Sequence, residues 1–138
     1  MLTNLKIDDL IPQKHPFVLV DQLLTCDEAI IESSFLVPDI HPLVHNGKLC
    51  EGGLVENIAQ TSAAGNGYEA QRKGVQPAKG FIAGIKNLII IGLPKSGSRI
   101  FTKVYHQDRV MGYNLIKGEV FEGEKLLASC EMKVYCPD

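Results

Sequence analysis

The sequence predicts an α+β fold, with one long central helix wrapped by a curved antiparallel sheet of about six strands. Three observations carry this. Two strand-like runs come first, one helical stretch follows, and everything after it reads as strand. The helical stretch, roughly residues 53–71, contains no lysine or arginine and is filled by Ala59, Ser62, Ala63, Ala64, Gly65 and Gly67. In the last run, Ala128, Cys130, Met132 and Val134 alternate with Ser129, Glu131, Lys133 and Tyr135, a period of two that buries one face and wets the other. A helix on a protein surface normally shows a charged face. One wrapped by a sheet has little face left for water, and its small side chains let the layers approach.

Each element has a local reason. Residues 17–26, "FVLVDQLLTC", are rich in apolar and β-branched residues and follow a proline; "CDEA" offers a turn, and residues 30–37 return as the second strand. Pro38, Pro42 and "HNGK" mark an irregular loop before the helix, and Gly74 and Pro77 break the helix. Residues 81–91 are a long apolar run closed by "GLPKSGS". Residues 99–107 and 112–121 are two further strands, and "EGEK" is a hairpin signal before the last strand, residues 126–136.

The chain of 138 residues has room for a single domain, 1–138, with a sizeable core. Its net charge is -2, with Lys and Arg spread along it, so nothing suggests a nucleic-acid partner. No apolar run approaches the ~20 residues that span a bilayer. The start, "MLTNLKIDDL", carries acids where a signal peptide has a basic region, so a cytoplasmic chain is expected. Cys26, Cys50, Cys130 and Cys136 share no C-x-x-C spacing and read as reduced, mostly buried thiols. His41 and His45 are four residues apart, but Pro42 and Gly47 make their segment irregular and no third ligand presents itself, so no metal is expected.

On a helical wheel of ~100° per residue, Leu54, Val55, Ile58, Ala59, Ser62 and Ala63 share one arc. Glu56 falls at its border with Gln60 one turn on, and Asn57 and Thr61 lie opposite. Glu56 has two readings: an acid placed favourably in the first turn by the helix dipole, or a catalytic carboxylate beside an apolar tunnel. Gly52 and Gly53 leave backbone N–H groups uncovered, which suits a developing oxyanion as well as a flexible entry turn. His15, just before Pro16, and His106, in a turn-like "YHQD", read as surface residues. His41 and His45 lie in the loop that feeds the helix, where functional residues concentrate. A histidine and a glutamate converging on one site would supply the base and acid of an elimination.

Four stretches in order, "IPQKHPFVLVDQLL", "GLVENIAQTSAA", "KGFIAGIKNLIIIGLPKSGS" and "GEVFEGEKLLASCEMKV", resemble the hotdog-fold 3-hydroxyacyl-acyl-carrier-protein dehydratases from end to end. The pattern around the helix is similar to a divergent subgroup associated with aryl-polyene-type pigment and specialised acyl-chain pathways. The family's active-site loop reads G-H-F-P, then P-G before the helix. Here the stretch is "PDIHPLVHNGKLCEGG", with His41 the nearest match after a one-residue shift, His45 the fallback, and "CEGG" in place of P-G. Glu56 matches the family's helix carboxylate, and Gln60 the glutamine after it.

The resemblance implies dehydration of a 3-hydroxyacyl thioester, carried by acyl carrier protein or CoA, to a 2-enoyl thioester in fatty-acid or polyene-type biosynthesis. His41 would take the C2 proton, an N–H at Gly52 or Gly53 would hold the enolate-like oxygen, and Glu56 would help the hydroxyl leave, with no cofactor or metal. It also implies a homodimer, with a higher oligomer or a heterodimer with a homologue as variants, because the family's His and acid come from different subunits. Two rivals fit the same residues: a hotdog thioesterase working through Glu56, and a non-catalytic dehydratase-like subunit that binds an acyl carrier protein. Arg72, Lys73 and Lys79 follow the helix and read as solvated charges or as contacts for an acidic carrier.

Overall fold

The computed structural model describes residues 2, 5–77 and 80–136. A short 3-10 helix, Ile7–Asp9, precedes strands β1 (Gln22–Cys26), β2 (Ile30–Leu36), β3 (Val44–His45) and β4 (Lys48–Leu49). Helix α1 (Glu51–Lys73) is followed by β5 (Phe81–Ile90), β6 (Arg99–Val110), β7 (Tyr113–Glu122) and β8 (Lys125–Tyr135). Six strands form one antiparallel sheet in the order β1-β2-β6-β7-β8-β5, and β3 and β4 form a separate two-stranded hairpin. Among the described residues no helix is long and apolar enough to cross a membrane.

The strands follow from alternation. Along β8, Ala128, Cys130, Met132 and Val134 are buried while the residues between them are half-buried or exposed. The turn between β1 and β2 is closed by Asp27, whose Oδ1 accepts the N–H groups of Ala29 and Ile30 at 2.7 and 2.9 Å; these bonds hold its carboxyl below the usual range. Helix α1 packs against β1, β2, β6 and β7. The small residues set the distance of approach: a Cβ at Gly65 would come within 2.3 Å of Ile31 Cδ1, and one at Gly67 within 2.0 Å of the Leu10 carbonyl oxygen. Gly74, with φ of 67°, ends the helix in the left-handed region, and its N–H reaches the Ala70 and Gln71 carbonyls.

Four expectations need correction. The first strand begins at Gln22, not at residue 17, because residues 17–19 are held by helix side chains instead of by a neighbouring strand. The loop before the helix contains the β3–β4 hairpin, turned by Asn46 and Gly47 at positive φ. His106 lies within β6 and not in a turn, although its surface position holds. Asn57 and Thr61, expected on the polar side of the wheel, are fully buried.

The sheet is not covered evenly. β5 has a neighbour on one side only, β8. Phe81, Ile82, Ile85, Leu88 and Ile89 along it are 42–57% exposed.

Candidate functional site

Helix α1 starts without a side-chain cap. Cys50 is extended (φ -77°, ψ 170°) and its thiol caps nothing, so the first-turn N–H groups rely on no capping side chain. The start is fastened by backbone bonds: Cys50 N–H donates to the Leu43 carbonyl at 2.9 Å, and Leu49 N–H to the Pro94 carbonyl at 2.9 Å. The two glycines differ. Gly53 is buried, and a Cβ there would collide with Leu49 at 2.5 Å, so its small size serves packing. Gly52 is exposed, with nothing nearer its missing Cβ than Cys50 Sγ at 3.9 Å, so its backbone is the accessible one.

Because the helix begins at Glu51, that residue is the acid of the first turn and Glu56 lies in the second. The first-turn explanation of Glu56 therefore falls away. Glu56 is half-buried, and its Oε1 accepts a hydrogen bond from Gln60 Nε2 at 3.2 Å. Gln60 is buried, and its amide is oriented by the backbone. Its Oε1 accepts the Leu19 N–H at 2.7 Å, and its Nε2 donates to the Phe17 carbonyl at 2.9 Å as well as to Glu56. Gln60 cannot flip without leaving Leu19 N–H unpaired.

Asn57 completes the grip. Its Nδ2 donates to the Leu19 carbonyl at 2.7 Å, and its Oδ1 accepts from the Thr102 hydroxyl. Thr61 Oγ1 donates to the Asn57 carbonyl at 2.8 Å and lies 2.7 Å from Ser33 Oγ. Two helix amides thus replace a neighbouring strand for residues 17–19, and a buried polar chain ties that segment to β2 and β6. Sequence reasoning missed this role for Asn57; its signal was a pair of amides, Asn57 and Gln60, on a helix short of charge.

His41 is half-buried in the loop before β3. Its Nδ1 accepts the Leu43 N–H at 3.0 Å. Its Nε2 is buried and makes no hydrogen bond. Burial pushes the imidazole below its ordinary pKa; the Val18 carbonyl beside the ring works against this, without reaching hydrogen-bonding geometry. His41 and Glu56 therefore both address residues 17–19 of one chain, His41 at Val18 and Glu56 through Gln60. His45 is elsewhere: it is exposed on β3, with Nε2 3.0 Å from the Pro42 carbonyl.

Other candidates lie outside this cluster. His15 is exposed, 3.7 Å from Asp8. Arg72 pairs with Glu69 at 3.3 Å on the exposed end of the helix, and Lys79 lies outside the described residues. Among the thiols, burial and the nearby charges of Glu69 and Asp27 push Cys26 up to about 11, and burial also raises Cys130, so neither suits a nucleophile. A cavity of about 590 Å³ lies between the β6–β7 turn and β5, lined in part by Gly84, Val110, Met111, Tyr113 and Lys133; neither Glu56 nor His41 borders it.

One long helix packed on a six-stranded antiparallel sheet defines a hotdog-fold protein. The chain belongs to the ApeP-like family of dehydratases, whose model matches residues 5–138. Among solved structures it is similar to the dehydratase heterocomplex ApeI:P from Xenorhabdus doucetiae, with a TM-score of 0.89 and 17% identity over 97% of this chain and 92% of that one. It is also similar in fold to the PaaI protein of the E. coli phenylacetic acid degradation operon (TM-score 0.63, 10% identity, 82% and 80% covered). A third is a hypothetical thioesterase with coenzyme A from Streptococcus pneumoniae TIGR4 (TM-score 0.67, 8% identity, 83% and 84% covered). Compared by sequence with curated proteins, the chain has no match.

Proposed function

We propose that this protein dehydrates 3-hydroxyacyl thioesters, carried on acyl carrier protein or CoA, to 2-enoyl thioesters. Family membership supports the reaction class. The observation that carries the site is Glu56, a half-buried carboxylate whose one oxygen is held by an amide that cannot turn. Such a group is pre-positioned to move a proton between a substrate carbon and a leaving hydroxyl. His41, beside the same segment, is its polar counterpart, and the Gly52 N–H is a further donor for a developing oxyanion.

The working unit is a pair of chains. An unpaired edge strand with exposed apolar side chains is a template for another strand, and β5 offers ten residues of it. A second copy is the simplest occupant, and a homologous chain is the alternative, as in the heterocomplex of ApeI:P.

The test is product analysis. Purified protein given a 3-hydroxyacyl-CoA should form the conjugated 2-enoyl thioester without releasing free thiol. Release of thiol from acyl-CoA, with no enoyl product, would instead mean a thioesterase using the same carboxylate.

A further inference from the structure

We propose that the face of the sheet turned away from the helix carries a second ligand site, a groove for a free acyl carboxylate, with the anion at Lys86 and Lys117 and the carbon chain along Tyr113, Val110 and Met111. This site is separate from Glu56 and does not depend on the dehydratase reading.

Alternation along the strands fixes the face. Ile116 and Met132 are buried, and a Cβ at Gly118 would strike Ile58 of α1, so these positions point at the helix. Tyr113, Leu115 and Lys117 on β7, and Glu131 and Lys133 on β8, alternate with them and point away. The cavity of about 590 Å³ lies over that outer set, and no residue of α1 lines it. Small-molecule sites usually enclose about 300–1,000 Å³. A smaller cavity of about 280 Å³, bordered by Lys117, shares Gln107 and Glu131 with it. On the β5 side the groove is open at Gly84, whose missing Cβ would meet nothing within 4 Å. A strand pairing on β5 lies beside the sheet and not over this face, so the groove stays accessible in a pair of chains.

The groove is graded from apolar to cationic. At its hairpin end Val110 is 46% and Met111 90% exposed. Met111 also holds a φ of 51°, in the left-handed region that few residues other than glycine adopt. An apolar side chain is thus kept in water and in a costly backbone conformation beside an open groove. Lys117 lies four residues along β7 from Tyr113, roughly 14 Å by the rise of a strand. Lys86 and Lys117 flank Glu131 on neighbouring strands. Between the two ends Lys133 places its Nζ 4.4 Å from the Tyr113 ring centroid, so its stem walls the groove. Among the described residues, Glu131 is the one carboxylate on the lining of either cavity, and its Oε2 accepts a hydrogen bond from Asn87 Nδ2. Among those residues Lys86, Lys117 and Lys133 form no ion pair. Two free cations at one end and an apolar floor at the other are complementary to an amphipathic anion. A carbon chain ending in a carboxylate has both halves.

The test uses the full chain with carbon-13-labelled methionine methyl groups, titrated with dodecanoate below its micelle-forming concentration. The Met111 methyl resonance should shift and saturate with dodecanoate and stay in place with acetate. In the folded double variant Lys86→Gln, Lys117→Gln the affinity for dodecanoate should fall by about tenfold. Dodecanol, the uncharged chain, should bind wild type about as weakly as the double variant binds dodecanoate. No shift at Met111, a shift at buried Met132 without one at Met111, or equal dodecanoate affinity in the double variant overturns the proposal. So does a Met111 shift that needs phosphatidylglycerol vesicles, or one that grows with protein concentration alone; these would make the face a lipid-surface or self-association contact.

Discussion

The two ends of this molecule's polar and apolar bookkeeping differ sharply. Around residues 17–19 the Phe17 carbonyl and both backbone groups of Leu19, which no neighbour strand serves, are taken by Gln60 and Asn57. Along β5 the reverse holds: one edge has no partner strand and five large apolar side chains face solvent. The first region is paired largely within one chain, and the second is the edge on which the proposed pairing of chains rests. The difference teaches where to look for chemistry and where for assembly. Rigid, paired groups hold Glu56 in place, while an unpaired apolar edge is the place to test for a partner.

The largest expected effect breaks the second region. The wild type should sediment as a dimer, and Ile85→Asp, which places a charge on the exposed apolar side of β5, should sediment as a monomer in analytical ultracentrifugation. A wild type that is monomeric alone but pairs with a homologous chain would assign the edge to that homologue. Next comes the first region. Asn57→Ala orphans the Leu19 carbonyl and the Thr102 hydroxyl, both buried, and should cost about 3 kcal/mol in urea unfolding. Gly67→Ala drives a methyl group into the Leu10 carbonyl and should cost about 2 kcal/mol by the same measurement.

The smallest effect is pH-dependent. The folded pKa values of His41 and His106 are both lowered from 6.5, by burial first. As pH falls below that value the unfolded chain binds protons that the folded chain refuses, so stability declines on acidification. His106 is exposed by its surface area, so the greater share belongs to His41. Melting temperatures followed from neutral to mildly acidic pH should fall, and His41→Gln should flatten the curve.

Much of this was legible in the sequence because it is written in periods. The alternation in β8 and the uncharged small-residue helix are one-dimensional signals of burial, while the apolar run of β5 marked a strand that the single chain leaves exposed. Element ends were less so: the helix starts at Glu51 because backbone bonds around Leu43 and Leu49 fasten it, which no local signal encodes. The Asn46–Gly47 pair did encode the β3–β4 turn. What hydropathy could not show is the burial of Asn57 and Thr61. A polar residue is assigned to water until its partners are seen, and theirs lie 28 to 45 residues away, at Leu19, Ser33 and Thr102. Glu56, His41 and Gln60 were visible as candidates. The bond to the His41 ring from an amide two residues on was not.

The most direct test of the account is the rate of 2-enoyl thioester formation by wild type and Glu56→Gln, compared at equal oligomeric state and melting temperature. The account predicts a loss of about 10²–10⁴ in the variant, the usual worth of a positioned proton-transfer group. A Glu56→Gln protein that dehydrates at the wild-type rate would contradict it.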